Sequence, residues 1–289
     1  MTANAPTWNT TQYENRAMHI YQREGNRLRP TVTMATRIEN NEKAVFWLAG
    51  KSKAVKKKRG DRNTPGNGER KKFEASLETW VAFDTVEEYD VDRMQVDEKE
   101  VVYTAGANAL GRATDAEIYA KMAAAIPAAT VDFSAGAFSA VNALTLCKML
   151  QDQKIKWDGN VFCGLPPLQW NQLLANKVVN SADHVGQNLP FVQATDTRFW
   201  NGVNWFLFVE EEAEELYPVP AANKQDLFIW HKTAMGWGNN TDLRVIPQWD
   251  NYNDWWTINM QAKGCATTLQ EGNGMVRFTT SSNSAIAIV

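Results

Sequence analysis

The chain is poor in the residues that build metal sites and disulfide frameworks: it holds three His and three Cys in 289 residues. Cys147, Cys163 and Cys265 form no C-x-x-C pair and are odd in number. That argues against a disulfide scaffold and for a reducing compartment. His19, His184 and His231 stand at no metal-ligand spacing with a cysteine, so they read as structural or surface side chains, and no metal or other cofactor is expected. A G-x-S-x-G elbow, a Walker-type phosphate loop and an H-E-x-x-H pair are all missing from the sequence, so no catalytic constellation is expected. No stretch approaches 18 uninterrupted apolar residues, which excludes a hydrophobic spanning helix, and the polar start of the chain has no apolar signal core.

What the chain has is tryptophan and an uneven charge. Twelve Trp supply large apolar surfaces of the kind that fill thick cores and subunit interfaces. The net charge of −3 conceals a split. Lys51–Lys72 carries ten Lys and Arg against Asp61 and Glu69, a balance of +8, so the remainder carries −11. A basic appendage on an acidic body suits the joining of copies head to tail, and equally suits a separate polyanion.

Along the chain, residues 1–40 read as an extended arm, polar with scattered anchors at Trp8, Tyr13, Ile20 and Tyr21. Such an arm has few places to bury itself in its own subunit. Ala44–Ala49 is a short apolar strand that leads into the basic run Lys51–Arg62 and a turn cluster at Asn63–Gly68. The chain returns through Lys71–Phe83, where Phe73, Leu77 and Val81 favour a strand. The simplest reading is one long basic hairpin, marginal alone in water and therefore resting on another surface.

Asp97, with Glu100 three later, resembles a capping box that opens the longest helix, to about Ile126. Gly106 and Gly111 inside it each cost about 1 kcal/mol against Ala, so close packing is expected at them. Helices are also expected over Ser139–Lys154 and from Pro166 to about Ala175, the latter with proline in its first turn. Strands are expected at Asn160–Leu165, after the Asn201-Gly202 turn, at Leu227–His231 (closed by Met235-Gly236), and over Asp242–Ile246, Trp255–Ala262 and Met275–Thr280. The class is α+β.

Three segments carry a resemblance to the major capsid proteins of tailed bacteriophages, whose fold is shared with encapsulin shells and the herpesvirus capsid floor. Glu87-Glu-Tyr-Asp-Val-Asp-Arg-Met94, running into the long helix, resembles the strand-to-spine junction of short-tailed phages. Trp200-Asn-Gly-Val-Asn-Trp-Phe-Leu-Phe208 is similar to an axial-domain hairpin. Leu227-Phe-Ile-Trp-His-Lys-Thr-Ala-Met-Gly236 is similar to a strand followed by His/Lys and Ala-apolar-Gly. Their order and spacing, over about residues 30–280, carry the match more than any one of them.

The resemblance implies a division into an N-terminal arm (1–40), an extended loop (41–83), a peripheral domain (84–135 and 240–289, with the spine helix at about 97–126) and an axial domain (136–239). It implies a non-enzymatic chain that self-assembles from hexamers and pentamers into an icosahedral head shell in the host cytoplasm and resides in the virion. The partners it implies are a separate scaffolding protein, a portal, a decoration protein and packaged double-stranded DNA held without sequence specificity, with no membrane. The basic loop would then be the subunit-interface element, through Trp47, Lys51, Lys53, Lys56, Lys57, Lys58, Arg59, Arg62, Arg70, Lys71 and Lys72. Its acidic counterparts on a neighbour would be Asp84, Glu87, Glu88, Asp90 and Asp92, or Glu210, Glu211, Glu212 and the rest of the run to Glu215. A cargo-enclosing shell of the same fold and a basic DNA-binding ribbon are the alternatives. Against the ribbon, the loop has no aromatic between Gly50 and Phe73 to stack on bases.

Overall fold

The structure is a computed structural model that describes residues 26–39, 42–60, 62–63, 68–87, 98–176, 179, 196–208 and 223–286. The expected anchors of residues 1–25, the Asp97 cap, His19 and His184 lie outside them.

Three sheets organise the described residues. The first contains β1 (Thr33–Met34), β11 (Met235–Asp250), β12 (Trp255–Thr268) and β5 (Glu78–Glu87), in the order β1-β11-β12-β5. β11 and β12 form a long antiparallel hairpin from Met235↔Thr268 to Asp250↔Trp255. The second contains β6 (Ala129–Asp132), β13 (Met275–Ser281), β10 (Lys224–His231), β7 (Val161–Leu165), β9 (Val203–Leu207) and β8 (Thr197–Trp200), in the order β6-β13-β10-β7-β9-β8. The third is β2 (Arg37–Glu39), β3 (Lys43–Ala49) and β4 (Arg70–Ser76).

Helix α1 (Glu98–Ala124) is 27 residues long, about 40 Å at 1.5 Å per residue. Its first half packs on the four-stranded sheet, where Leu110 joins Val86, Ile258, Met260 and Ala262 in a buried cluster. Gly106 is needed there: a Cβ would fall 1.8 Å from Cε of Met260. The second half enters the main core through Ile118 and Met122, beside the six-stranded sheet and α2 (Ala140–Asp152). Ser139 caps α2 by accepting the Asn142 N–H. Helix α3 (Pro167–Leu174) carries proline in its first turn, as expected. Asn201 and Gly202 both have positive φ, 50° and 77°, the signature of a type I′ hairpin turn between β8 and β9.

The topology departs from the sequence expectations in several places. The return of the hairpin is two strands: β4 stays with β3, and after Leu77 the chain crosses to the four-stranded sheet as β5. The strand at Leu227–His231 does not end a sheet region at Met235-Gly236; a single 3-10 turn, Lys232–Ala234, passes the chain directly into β11. β6 pairs with β13, and β13 with β10, so both stand in the six-stranded sheet. Part of the arm is buried in its own subunit. Leu28 and Val32 are each 1 % exposed in the main core, the Asp115 carboxylate accepts the backbone N–H groups of Arg27 and Leu28, and the Trp230 indole donates to Thr31 O.

Candidate assembly surface

The basic loop starts from a well-held root. Ala44 and Phe46 of β3 pack with Cys265 and Leu269. Two glycines of β11 admit them: a Cβ on Gly236 would lie 2.6 Å from the Phe46 ring, and one on Gly238 would lie 2.1 Å from Ala44 Cβ. The ladder runs from Lys43↔Ser76 to Ala49↔Arg70 and ends with Gly50 N–H on Glu69 O at 2.6 Å. Beyond it the described residues form no strand, so the long two-stranded ribbon is a short hairpin carrying an irregular loop.

Within the loop Lys51, Lys53, Lys56, Lys57, Lys58, Arg59 and Arg62 are exposed. Lys57 donates to the Asn63 amide oxygen at 2.9 Å. Among the described residues, no carboxylate lies within ion-pair distance of Lys51, Lys53 or Lys56. Arg70 is exposed at the end of the ladder.

The last two cations are engaged within the subunit. Lys71 meets Glu271 at 2.8 Å, and Lys72 meets Glu74 at 2.6 Å and Glu39 at 3.3 Å. Hydrogen bonding to Glu271 raises the Lys71 pKa above its ordinary value, and hydrogen bonding to Glu74 does the same for Lys72. Lys72 lies 5.7 Å over the ring of Trp47. Trp47 itself is 61 % exposed, a large apolar ring left on the outside of the hairpin.

Of the expected acidic counterparts, Asp84 and Glu87 lie exposed on β5. Glu88, Asp90, Asp92, Glu210, Glu211 and Glu212 lie outside the described residues. The carboxylates that reach Lys71 and Lys72 are Glu271, Glu39 and Glu74, which sequence reasoning missed. Only Glu74 left a signal, since residues two apart share a strand face.

Elsewhere the chemistry is structural. His231 is buried, with Nε2 3.1 Å from Asp158 Oδ1 and Nδ1 2.9 Å from Thr233 Oγ1. The three cysteines are free and buried, and burial pushes each thiol pKa up. Among the described residues no group of three or more His, Cys, Asp or Glu could hold a metal ion, and no helix there is long and apolar enough to cross a membrane.

The family model described as phage capsid protein matches residues 5–281. This chain belongs to the phage capsid protein family. No curated protein matches it by sequence. Among solved structures, the capsid of cyanophage P-SCSP1u is similar at 13 % identity, covering 92 % of this chain and 91 % of that one with a TM-score of 0.64. The capsid of cyanophage Pam1 is similar at 10 % identity, with coverage of 98 % and 99 % and a TM-score of 0.67. The head of Helicobacter pylori bacteriophage KHP40 is similar at 6 % identity, with 98 % of both chains covered and a TM-score of 0.70. At such identities the likeness is one of fold, and the fold is that of phage heads. The capsid protein is therefore a structural subunit of a phage head shell, residing in the virion, with the α+β capsid fold that its sequence resembled.

Proposed function

We propose that the capsid protein closes its icosahedral shell by asymmetric contacts between copies in rings of six and five, with the basic loop of one copy lying across the next. The observation that supports this is the exposed cation run at Lys51, Lys53 and Lys56, held away from the carboxylates of its own described surface. Carboxylates on a neighbour, with Asp84 and Glu87 of β5 as the described candidates, are its natural partners. Exposed ion pairs contribute only about 0–1 kcal/mol each, so the loop acts by number and by setting register, while Trp47 adds apolar area. Heterologous contacts of this kind close into rings when the rotation per subunit permits, and obligate interfaces bury roughly 2,000–5,000 Å².

The role is mechanical, without catalysis. A separate scaffolding protein sets the curvature, a portal takes one vertex, a decoration protein can bind outside, and packaged DNA lies within without sequence-specific contacts. Electron microscopy of the purified protein, expressed with and without its neighbouring genes, tests the reading. Uniform closed shells are the expected result. A small monodisperse species under every condition, a candidate scaffold included, would overturn it.

A further inference from the structure

Strand β5 stands at the edge of its sheet. β12 pairs with one side of it over an unbroken ladder from Glu87↔Trp255 to Glu78↔Gly264, and among the described residues no strand pairs with the other side. An open strand edge presents a row of backbone donors and acceptors, and proteins normally guard one with lysine, proline, a bulge or a covering element. β5 has no bulge in its ladder and no lysine, arginine or proline in its sequence. One face of the strand lies under α1, where Val86 packs with Leu110. The opposite face, on alternate residues, leaves Val81 54 % and Phe83 61 % exposed. An unguarded, partly apolar edge of 10 residues is a template for a strand from elsewhere.

The charges on β5 select that strand. Glu78, Asp84 and Glu87 are its charged residues and all are acidic, so a second β5 is a poor match. An extended basic segment with an apolar side chain is a good one. The basic loop contains such a segment. Residues 51–58 are exposed and without regular structure, and Val55 among them is 60 % exposed. In a parallel register with Val55 opposite Phe83, Ala54 falls opposite Ala82, Lys56 opposite Asp84 and Arg59 opposite Glu87. Antiparallel pairing about the same contact sets Ala54 against Asp84 and leaves that carboxylate unmatched. We propose that β5 receives residues 54–59 of a second copy as an added parallel edge strand. The lysines of the added strand then guard the new edge, so addition stops at one. This strand addition rests on the shell reading above and gives its loop contact a register.

A cross-link confined to that register tests it. Directly paired strands hold Cβ atoms about 5 Å apart, within reach of a disulfide, and the native cysteines are buried. The chain carrying Val55→Cys and Phe83→Cys, assembled and then oxidised, is expected to run as dimers and higher multiples on non-reducing gels. The same chain oxidised before assembly is expected to stay monomeric. Val55→Cys with Thr79→Cys, about 13 Å off register, is expected to stay monomeric even in shells. Shells that give only monomers with the first pair, or equal linking with both pairs, would overturn the added strand and leave the shell reading standing. Charge exchange supplies a second readout. Lys56→Asp and Asp84→Lys are each expected to raise the protein concentration needed for shells about tenfold, and the two together to restore it. A double variant as impaired as either single one would overturn the register. A chain that forms no shell under any condition would overturn the shell reading and the added strand together.

Discussion

Asp115, fully buried on α1, holds Leu28 by its backbone, with Oδ1 accepting the Leu28 N–H at 2.9 Å. The other oxygen takes the N–H of Arg27 at 3.0 Å. One carboxylate thus satisfies two donors at the point where the arm meets the body, and sets Leu28 and Val32 into the main core. Asp115→Ala leaves both donors without their acceptor. The expected loss is about 2–4 kcal/mol, read as a lower urea midpoint, with Asp115→Asn intermediate because it keeps one acceptor oxygen.

Gly272 sits in the turn that carries the chain from β12 to β13, at φ 85°. A Cβ there would lie 2.0 Å from the Ile126 carbonyl oxygen, a backbone atom that cannot rotate away. Gly272→Ala is expected to cost about 2 kcal/mol or more, seen as a lower thermal midpoint. Gly136→Ala, which meets nothing within 4 Å, is the matched control with little effect.

Acid should act on the joint between the two larger sheets. The Asp158 pKa is lowered to about 2, first by the hydrogen bond from His231 and then by those from Asn160. A carboxylate with a depressed folded-state pKa stabilises the fold above its unfolded value, near 3.9, and loses that contribution as pH falls through the folded value. Asp158→Asn is therefore expected to be less stable than the native chain at pH 5, with the gap narrowing toward pH 2. Urea unfolding of both proteins across that range measures it.

The loop cations should matter to assembly and not to folding. Lys53→Glu with Lys56→Glu changes two exposed charges, so the unfolding midpoint is expected to stay within about 0.5 kcal/mol of native. Shell formation, followed by light scattering, is expected to need a higher protein concentration. Native shells should also dissociate more readily as salt is added, because exposed charge pairs are screened. Disassembly midpoints that were equal in low and molar salt would count against the loop contacts.

Maleimide labelling checks the cysteines. Cys147, Cys163 and Cys265 are buried with raised thiol pKa values, so the folded chain is expected to label slowly and the urea-unfolded chain at all three positions.

Much of the fold was readable because its signals are local. The proline-led start of α3, the Asn201-Gly202 turn and the apolar run of β10 each depend on a few neighbouring residues. The order of these parts carried the capsid resemblance. The split of the hairpin return at Leu77 was not readable, since β4 and β5 form one continuous strand-like stretch whose two halves choose different sheets. The burial of the arm at Leu28 was hidden for a similar reason: its partner, Asp115, lies far along the chain and resembles any helical carboxylate.

The sequence alone determined the class of the protein, the place and charge of its loop and the absence of a catalytic motif, because composition, periodicity and turn chemistry are properties of short segments. Only the tertiary structure decided which strands share a sheet, which lysines are neutralised at home by Glu39, Glu74 and Glu271, and that the Trp237 N–H is left without an acceptor among the described residues. Those outcomes depend on distances between segments far apart in the chain, and no local pattern encodes them.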